Sequence, residues 1–335
     1  MHLLNRAGAG FVGLETTILV HGVPRADAAP LAEQLAAAVR EGGEGGAQPA
    51  IVGVVAGRPT VGLLPEELDQ LLAADHVEKA NTANLGVVMH RGQHGATTVS
   101  TTVELAARAG IRVVATGGIG GVHRGYAEHL DISSDLGTLA RRPVAVVTSG
   151  VKSLLDVAAT RELLETLGVP VIGFRTDSFP AFYVRETDIP VDSRFDDAAD
   201  LASYLAAELA RTGRGVVVAN PCPEAEAIEP EVWENLLARA QAAAAAEGTA
   251  RGRDVTPALL TQIHAALRGD LAAGQHRPGR GQRPPCGGDL CRDGQGPVAK
   301  PGAPPRQKPG LLPTRSRSDD AHDLPDRTGH IHSGR

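Results

Sequence analysis

Lys152 is the residue of this sequence with the clearest chemical potential. It follows the apolar run VAVVTSGV and precedes Leu154 and Leu155. A lysine at the mouth of a buried strand loses part of its hydration, which favours the neutral, nucleophilic amine. Such an amine can form an imine with a sugar aldehyde. The alternative is an ordinary lysine that extends to solvent or pairs with a carboxylate such as Asp156.

Glu15 is a second candidate because it lies within the otherwise apolar run Val12–Val20. A buried carboxylate is costly unless it is paired or functional. We therefore predict either a general acid or base with a raised pKa or a member of a structural ion pair.

The segment TGGIGGVHRG, residues Thr116–Gly125, follows an apolar run. Its glycines let the backbone approach a ligand and turn N–H groups toward an anion. His123 and Arg124 add donors that suit phosphate. The glycine spacing is not that of a dinucleotide-binding loop, and a tight turn with surface charges is the alternative.

The segment DISSD places Asp131 and Asp135 four residues apart, with Ser133 and Ser134 between them. This arrangement can hold a hard divalent cation, partly through water. Alternatively, Asp135 caps the helix that follows.

Three further features of the sequence are weaker indications of a binding site. The hydroxyl-rich segment HGATTVSTT, residues His94–Thr102, predicts a helix start that could bind phosphate. Lys79 could reach an anion, but a lone lysine is usually at the surface. Asn220 ends the last apolar run, where an Asn-Pro turn is the simpler interpretation.

Short apolar runs alternate with amphipathic stretches along the chain. The predicted strands are Gly13–Val20, Ala50–Val55, Gly86–Met89, Ile111–Thr116, Val144–Thr148, Val169–Gly173 and Gly215–Ala219. The predicted helices are Arg25–Arg40, Pro65–Ala74, Thr97–Ala109, Lys152–Ala158, Arg161–Leu167, Asp196–Arg211 and Pro230–Glu247. This alternation predicts an α/β fold, a single domain with a mostly parallel central sheet flanked by helices. Ligands of such sheets bind beyond the carboxyl ends of the strands, where most of the residues above fall.

The composition changes near Arg268. Residues 269–335 contain no Glu, Phe, Tyr, Trp or Met and are dominated by Pro, Gly and Arg. Such a segment cannot bury enough apolar surface to offset its ordering entropy. We predict a folded domain over residues 1–268 and a disordered tail over 269–335, which is either a natural tail or the product of a lost reading frame.

Composition also narrows the function classes. The net charge is −6, and no block of like charge over the first 250 residues suggests a nucleic-acid or membrane partner. No apolar run reaches the roughly 20 residues that a bilayer requires. The three cysteines, at 222, 286 and 291, suit neither a disulfide framework nor a zinc site. A cytoplasmic location is the simplest expectation.

Together these segments resemble the pseudouridine-5′-phosphate glycosidases. The matching strings are LETTILVHGVP (Leu14–Pro24), HGATTVSTT, GIRVVATGGIGGVHRG (Gly110–Gly125), DISSDL (Asp131–Leu136), SGVKSLLD (Ser149–Asp156), LETLGVPVIGFRT (Leu164–Thr176), FPAFYVR (Phe179–Arg185) and VVVANPCPE (Val216–Glu224). They are nearly collinear and cover residues 10 to 267. The resemblance implies reversible cleavage of the C–C bond of pseudouridine 5′-phosphate to uracil and ribose 5-phosphate, by a Mn²⁺-dependent homotrimer.

The resemblance also implies roles for individual residues. Lys152 would be the nucleophile that holds ring-opened ribose as an imine, Glu15 the proton donor, and Asp131 the manganese ligand, largely through water. The implied substrate-binding positions are Lys79, Val99, His123, Ser133, Ser134 and Asp135.

The sequence departs from the family pattern in two places. The stretch YAEHLD differs slightly in the placement of its Ala-Glu-His residues. More seriously, the family has a final helix with an Asn-Asn pair at the uracil pocket, whereas this chain has no Asn after Asn235. We therefore favour a lost reading frame over a natural tail, and a catalytically impaired remnant that only binds sugar phosphate is the alternative function.

Overall fold

The structure is a computed structural model that describes residues 2–42 and 45–246. The strands are β1 (Leu4–Asn5), β2 (Phe11–Glu15), β3 (Gln48–Val55), β4 (Arg58–Val61), β5 (Glu78–Ala80), β6 (Gly95–Thr97), β7 (Val113–Thr116), β8 (Val122–His123), β9 (Ala145–Thr148), β10 (Leu155–Asp156), β11 (Val171–Phe174), β12 (Ser193–Phe195) and β13 (Val216–Ala219). The α-helices are α1 (Arg25–Glu41), α2 (Pro65–Ala73), α3 (Leu85–His90), α4 (Val99–Arg108), α5 (Tyr126–His129), α6 (Ser134–Leu139), α7 (Val157–Thr166), α8 (Ala198–Thr212) and α9 (Pro230–Ala246). A π-helical turn covers Ile18–Gly22, and a 3₁₀ turn covers Glu224–Glu226.

One large sheet organises the described residues. Its strand order is β1-β4-β3-β2-β7-β9-β13-β11-β12, and every pairing from β3 to β12 is parallel. The short strand β6 pairs antiparallel with β3 and carries β5, while β8 and β10 form a separate two-stranded ribbon. The predicted α/β class with a mostly parallel sheet is confirmed.

The strand β2 has helices on both faces. On one face Gly13 packs against α4, because a β-carbon there would lie 3.6 Å from Ala106 Cβ of that helix. The same β-carbon would lie 2.9 Å from Val114 Cγ2 of the neighbouring strand β7. On the other face Leu14 shares a cleft with Leu35 of α1. Parallel strands covered on both faces read as continuous apolar runs, which is why β7, β9 and β13 were visible in the sequence.

Three sequence predictions are wrong in detail. Gly86–Met89 lies in α3 and is not a strand. The predicted strand Gly13–Val20 ends at Glu15, and the chain then turns into the π-helix. Lys152–Ala158 is not a helix, because α7 begins only at Val157, after Asp156 caps it by accepting the Ala159 N–H at 2.9 Å.

The remaining expectations on chain organisation have different outcomes. None of the helices in the described ranges is long and apolar enough to cross a membrane. The predicted boundary at residue 268 and the predicted tail over 269–335 lie outside the described residues.

Candidate active site

The carboxyl ends of four neighbouring strands meet at one edge of the sheet. Glu15 ends β2, Thr116 ends β7, Thr148 ends β9, and Asn220 follows β13. These four residues line a cleft with an empty volume of about 560 Å³, including space open to solvent. The rest of its lining is mainly apolar and consists of Leu14, Ile18, Leu35, Val39, Ala115, Gly117 and Val147. A few polar groups in a mainly apolar cleft are typical of a small-molecule site.

Glu15 is buried at this edge, with 6% of its surface exposed. Its Oε1 accepts a hydrogen bond from the Thr116 hydroxyl. Burial raises the pKa of the Glu15 carboxyl, while the positive charge of Lys152 opposes the rise and the negative charge of Asp135 adds to it. A carboxyl with a raised pKa keeps its proton to higher pH than an ordinary carboxyl, which suits the general acid or base, one of the two roles predicted from the sequence.

Lys152 is half-buried in a turn held against the glycine loop. Its backbone N–H donates to the Ile119 carbonyl at 3.0 Å. Its aliphatic stem lies against Gly118, where an added β-carbon would be 3.2 Å from Lys152 Cγ. The charge of Lys152 lowers the pKa of both Glu15 and His123, so the amine is close to both groups.

Asp135 joins two elements of the site. Asp135 is buried, with 3% of its surface exposed. Each of its carboxylate oxygens accepts a backbone N–H at 2.8 Å, Oδ1 from Ser100 and Oδ2 from Gly120. Ser133, not Asp135, caps α6 by accepting the Asp135 N–H at 3.2 Å. Ser134 donates to the Ser100 hydroxyl at 3.0 Å. The segment DISSD thus fixes the glycine loop to the start of α4.

His123 and Asp131 lie beside each other at the outer part of the site. His123 Nδ1 is 3.8 Å from Asp131 Oδ2, and the two side chains are 19% and 33% exposed. Burial lowers the pKa of His123, the charges of Lys79 and Lys152 lower it further, and Asp131 opposes them. A neutral imidazole near neutral pH follows.

Lys79 and Val99 approach the site from two other elements. Lys79 belongs to β5, and its charge lowers the pKa of both Glu15 and His123. Val99 is buried and opens α4 after Thr98. Two residues further on, the Thr101 hydroxyl is buried without a hydrogen-bond partner within the described residues.

Comparison with known proteins shows the family. Residues 4–275 match the model of indigoidine synthase A like proteins. A protein of Methylobacterium nodulans named pseudouridine-5′-phosphate glycosidase is 50% identical over 258 residues, covering 77% of this chain and 75% of the relative. One of the same name from Salinispora tropica is 45% identical over 266 residues, covering 79% and 81%. The chain belongs to the pseudouridine-5′-phosphate glycosidase family.

Solved structures agree with this family. An indigoidine synthase A-like protein of Thermotoga maritima superimposes with a TM-score of 0.72 at 32% identity, covering 87% of this chain and 92% of that one. A prealnumycin C-glycosynthase in complex with ribulose 5-phosphate gives a TM-score of 0.71 at 35% identity, covering 84% and 86%. The relatives named as glycosidases are enzymes, and the chain is an enzyme of this kind.

The charges of Lys79 and Lys152 act on both Glu15 and His123, and His123 lies beside Asp131. The Asp135 network joins the remaining predicted residues, Ser133 and Ser134, to the start of α4 at Val99.

The structure also shows partners that the sequence reasoning missed. Thr116 was predicted as the end of the strand Ile111–Thr116 and the start of the glycine loop, but not as the hydrogen-bond partner of Glu15. Phe182 was not considered, and its ring lies against Gly117 and Gly118, where added β-carbons would be 2.9 and 2.6 Å from ring atoms.

Proposed function

We propose that the chain cleaves the C–C glycosidic bond of pseudouridine 5′-phosphate reversibly to uracil and ribose 5-phosphate, in pseudouridine catabolism. The observation that carries the proposal is the pairing of a half-buried lysine with a buried carboxyl whose pKa is raised. The names of the relatives support the substrate.

The C–C bond explains why these two groups are needed together. A C-glycoside has no leaving oxygen on the aglycone, so the usual pair of carboxylates acting on an oxocarbenium ion is insufficient. An iminium formed by a lysine supplies an electron sink instead. It also requires a proton donor near the same carbon, and Glu15 lies within electrostatic reach of Lys152.

The proposed sequence of steps balances with one water. The Lys152 amine forms a bond to C1′ as the ribose ring opens, and Glu15 delivers the proton that the ring oxygen takes up. The amine next gives one proton to Glu15, and its nitrogen lone pair forms the iminium as the C1′–C5 bond breaks. The electron pair of that bond goes to C5 of uracil, which takes up the proton from Glu15. Water hydrolyses the iminium, which releases ribose 5-phosphate and restores the amine.

The substrate positions follow from the same edge. Lys79 and His123 supply donors for the phosphate or sugar hydroxyls, with the N-terminal backbone around Val99 nearby. Ser133, Ser134 and Asp135 would contact the sugar. Since both Asp135 oxygens already accept backbone N–H groups, this residue would accept a substrate hydroxyl through its remaining lone pairs.

Manganese fits the site only as an ion held largely by water. The described ranges contain no group of three or more His, Cys, Asp or Glu that could hold a metal. Asp131 offers one partly exposed carboxylate, which suits a hard cation that keeps most of its water. When bound, Mn²⁺ would supply positive charge to the oxygens of the sugar phosphate.

The assembly and the tail belong to the proposal as well. A homotrimer in the cytoplasm is the expected form. The alternative is a catalytically impaired remnant that only binds sugar phosphate. It is favoured by the absence of any Asn after Asn235, where the resemblance implies an Asn-Asn pair at the uracil pocket.

The test is uracil release from pseudouridine 5′-phosphate by the full chain, with and without Mn²⁺. Metal-dependent release of uracil would support the proposed glycosidase activity. Release by Lys152→Ala at the wild-type rate would refute the imine mechanism. Folded protein that binds ribose 5-phosphate but releases no uracil would support the remnant instead.

A further inference from the structure

Phe182 occupies a backbone conformation that a bulky residue rarely adopts. Its φ is +54°, in the left-handed region. It is the first central residue of a two-residue hairpin, because Ala181 and Val184 exchange backbone hydrogen bonds at 2.9 and 3.0 Å. A positive φ at that position normally calls for glycine. Strain of this kind persists where the surroundings enforce it, and it often marks a functional site.

The surroundings of this hairpin are the residues on either side of Lys152. Before the lysine, the Phe182 N–H donates to the Ser149 carbonyl at 2.9 Å, and the Val151 N–H donates to the Pro180 carbonyl at 3.2 Å. After the lysine, the Ser153 hydroxyl donates to the Ala181 carbonyl at 2.6 Å. The hairpin therefore holds the lysine turn at both ends.

The ring of Phe182 and the stem of Lys152 meet on one glycine. A β-carbon added at Gly118 would lie 2.6 Å from Phe182 Cδ2 and 3.2 Å from Lys152 Cγ. The ring is itself fixed from behind, since it packs edge-on against Tyr183 at 4.6 Å between centroids. Tyr183 in turn stacks near Trp233 at 5.3 Å, and the Trp233 indole donates to the Ser153 carbonyl at 3.1 Å.

We propose that Phe182 is a positioning residue for Lys152. Its ring confines the aliphatic part of the lysine side chain against Gly118 and so fixes the amine beside Glu15. The strained turn is the conformation that brings a ring to this place. This role rests on the proposed imine mechanism and adds to it a residue that keeps the nucleophile in one orientation.

The experiment measures imine formation directly. Full-length protein is mixed with ribose 5-phosphate and borohydride, and the mass of the trapped lysine adduct is followed with time. This assay does not need uracil, so it is independent of the aglycone side of the site. Uracil release gives kcat and KM on the same samples, and circular dichroism gives the folded fraction.

Phe182→Gly removes the ring, and because glycine adopts a positive φ readily, the substitution should relieve the backbone strain at this position. We expect folded protein whose trapping rate and kcat fall by about 10- to 100-fold, the range that a misplacement of about 1 Å produces, with KM little changed. Phe182→Leu keeps an apolar side chain and should recover a large part of the rate. Ala56→Gly is the matched control, because Ala56 is exposed and has a φ of +49° away from the site; its trapping should equal wild type.

The outcomes separate the two proposals. No trapping by the folded wild-type protein refutes the imine mechanism and with it this role. Trapping by wild type and by folded Phe182→Gly at equal rates overturns the positioning role alone. If Phe182→Gly does not fold, equal trapping by wild type and Phe182→Ala would overturn it in the same way. A loss of trapping that the smaller folded fraction alone accounts for would show a merely structural role.

Discussion

Replacing Asp135 should destabilise the protein strongly, because its carboxylate accepts two N–H groups that have little access to water. Ser100 N and Gly120 N each lie 2.8 Å from a different Asp135 oxygen, and Asp135 is only 3% exposed. A buried donor that loses its partner costs about 1–3 kcal/mol. Asp135→Ala removes both acceptors, so the loss in unfolding free energy should be about 2–6 kcal/mol, twice the single-donor cost.

Asp135→Asn provides a graded comparison. Its amide keeps one carbonyl oxygen for one of the two donors but presents an NH₂ group to the other. About half of the alanine effect, roughly 1–3 kcal/mol, should therefore remain. Since the total stability of a domain is about 5–15 kcal/mol, the asparagine variant should stay folded even where the alanine variant does not.

Urea unfolding at pH 7, followed by circular dichroism, measures both variants. Asp177→Ala is the control, because the exposed Asp177 side chain pairs with Arg194 at 2.8 Å, and exposed pairs contribute little. Asp135→Ala with the midpoint of wild type, or Asp135→Asn less stable than Asp135→Ala, would refute the reasoning that two satisfied donors set the cost.

Two further predictions concern charge at the site. Glu15→Gln keeps an acceptor for the Thr116 hydroxyl but removes the ionisation that burial opposes. Because the folded-state pKa of Glu15 is raised, the folded protein binds more protons than the unfolded chain between the ordinary and the raised pKa, and Glu15 costs stability increasingly as pH rises through that window. Glu15→Gln should thus match wild type near pH 4 and exceed it in stability at higher pH, as measured by urea unfolding across pH; a constant difference between the two proteins would contradict the assignment. Asp131→Asn should raise the Mn²⁺ concentration that gives half-maximal uracil release, by an expected factor of about 10–100 as for weakened metal ligation, while unfolding by urea without metal stays unchanged; an unaltered Mn²⁺ dependence would exclude Asp131 as a ligand.

The central strands and their polar ends could be predicted from the sequence because two independent patterns coincide there. Val144–Thr148 and Gly215–Ala219 are apolar runs too short for helices, and β9 and β13 fall within them. Glu15 stood out because a carboxylate is rare in such a run. Chemistry at the end of a parallel strand is therefore visible before the strand order is known.

The error at Gly86–Met89 has a local cause. Four apolar residues cannot by themselves distinguish a strand from a helix. The deciding features are a turn and a spacing: Asn81 Oδ1 accepts the Ala83 and Asn84 N–H groups at 2.9 and 3.1 Å, and the chain continues into α3. In α3, Leu85 and Val88 are buried three residues apart while Val87 is 50% exposed, which is helical periodicity.

The loop that carries Lys152 could not have been predicted, since long-range contacts decide its conformation. The Lys152 N–H binds the Ile119 carbonyl, and the hairpin at Phe182 holds both flanks of the turn. None of these pairings leaves a trace in the local pattern around residues 152–158, which resembles a helix. The same reason hid Phe182, whose importance depends on where its ring lies and not on its neighbours in sequence.

The charges at this edge of the sheet determine which groups hold protons. Burial raises the pKa of Glu15 and lowers the pKa of His123. The two shifts have opposite signs, but each favours the uncharged form of its group. Both leave the region around Lys152 less charged than unshifted groups would. In the proposed mechanism, a Glu15 carboxyl that keeps its proton to higher pH than an ordinary glutamate is the acid that breaking the C–C bond requires. We therefore expect the uracil-release rate to fall on the alkaline side as Glu15 loses its proton.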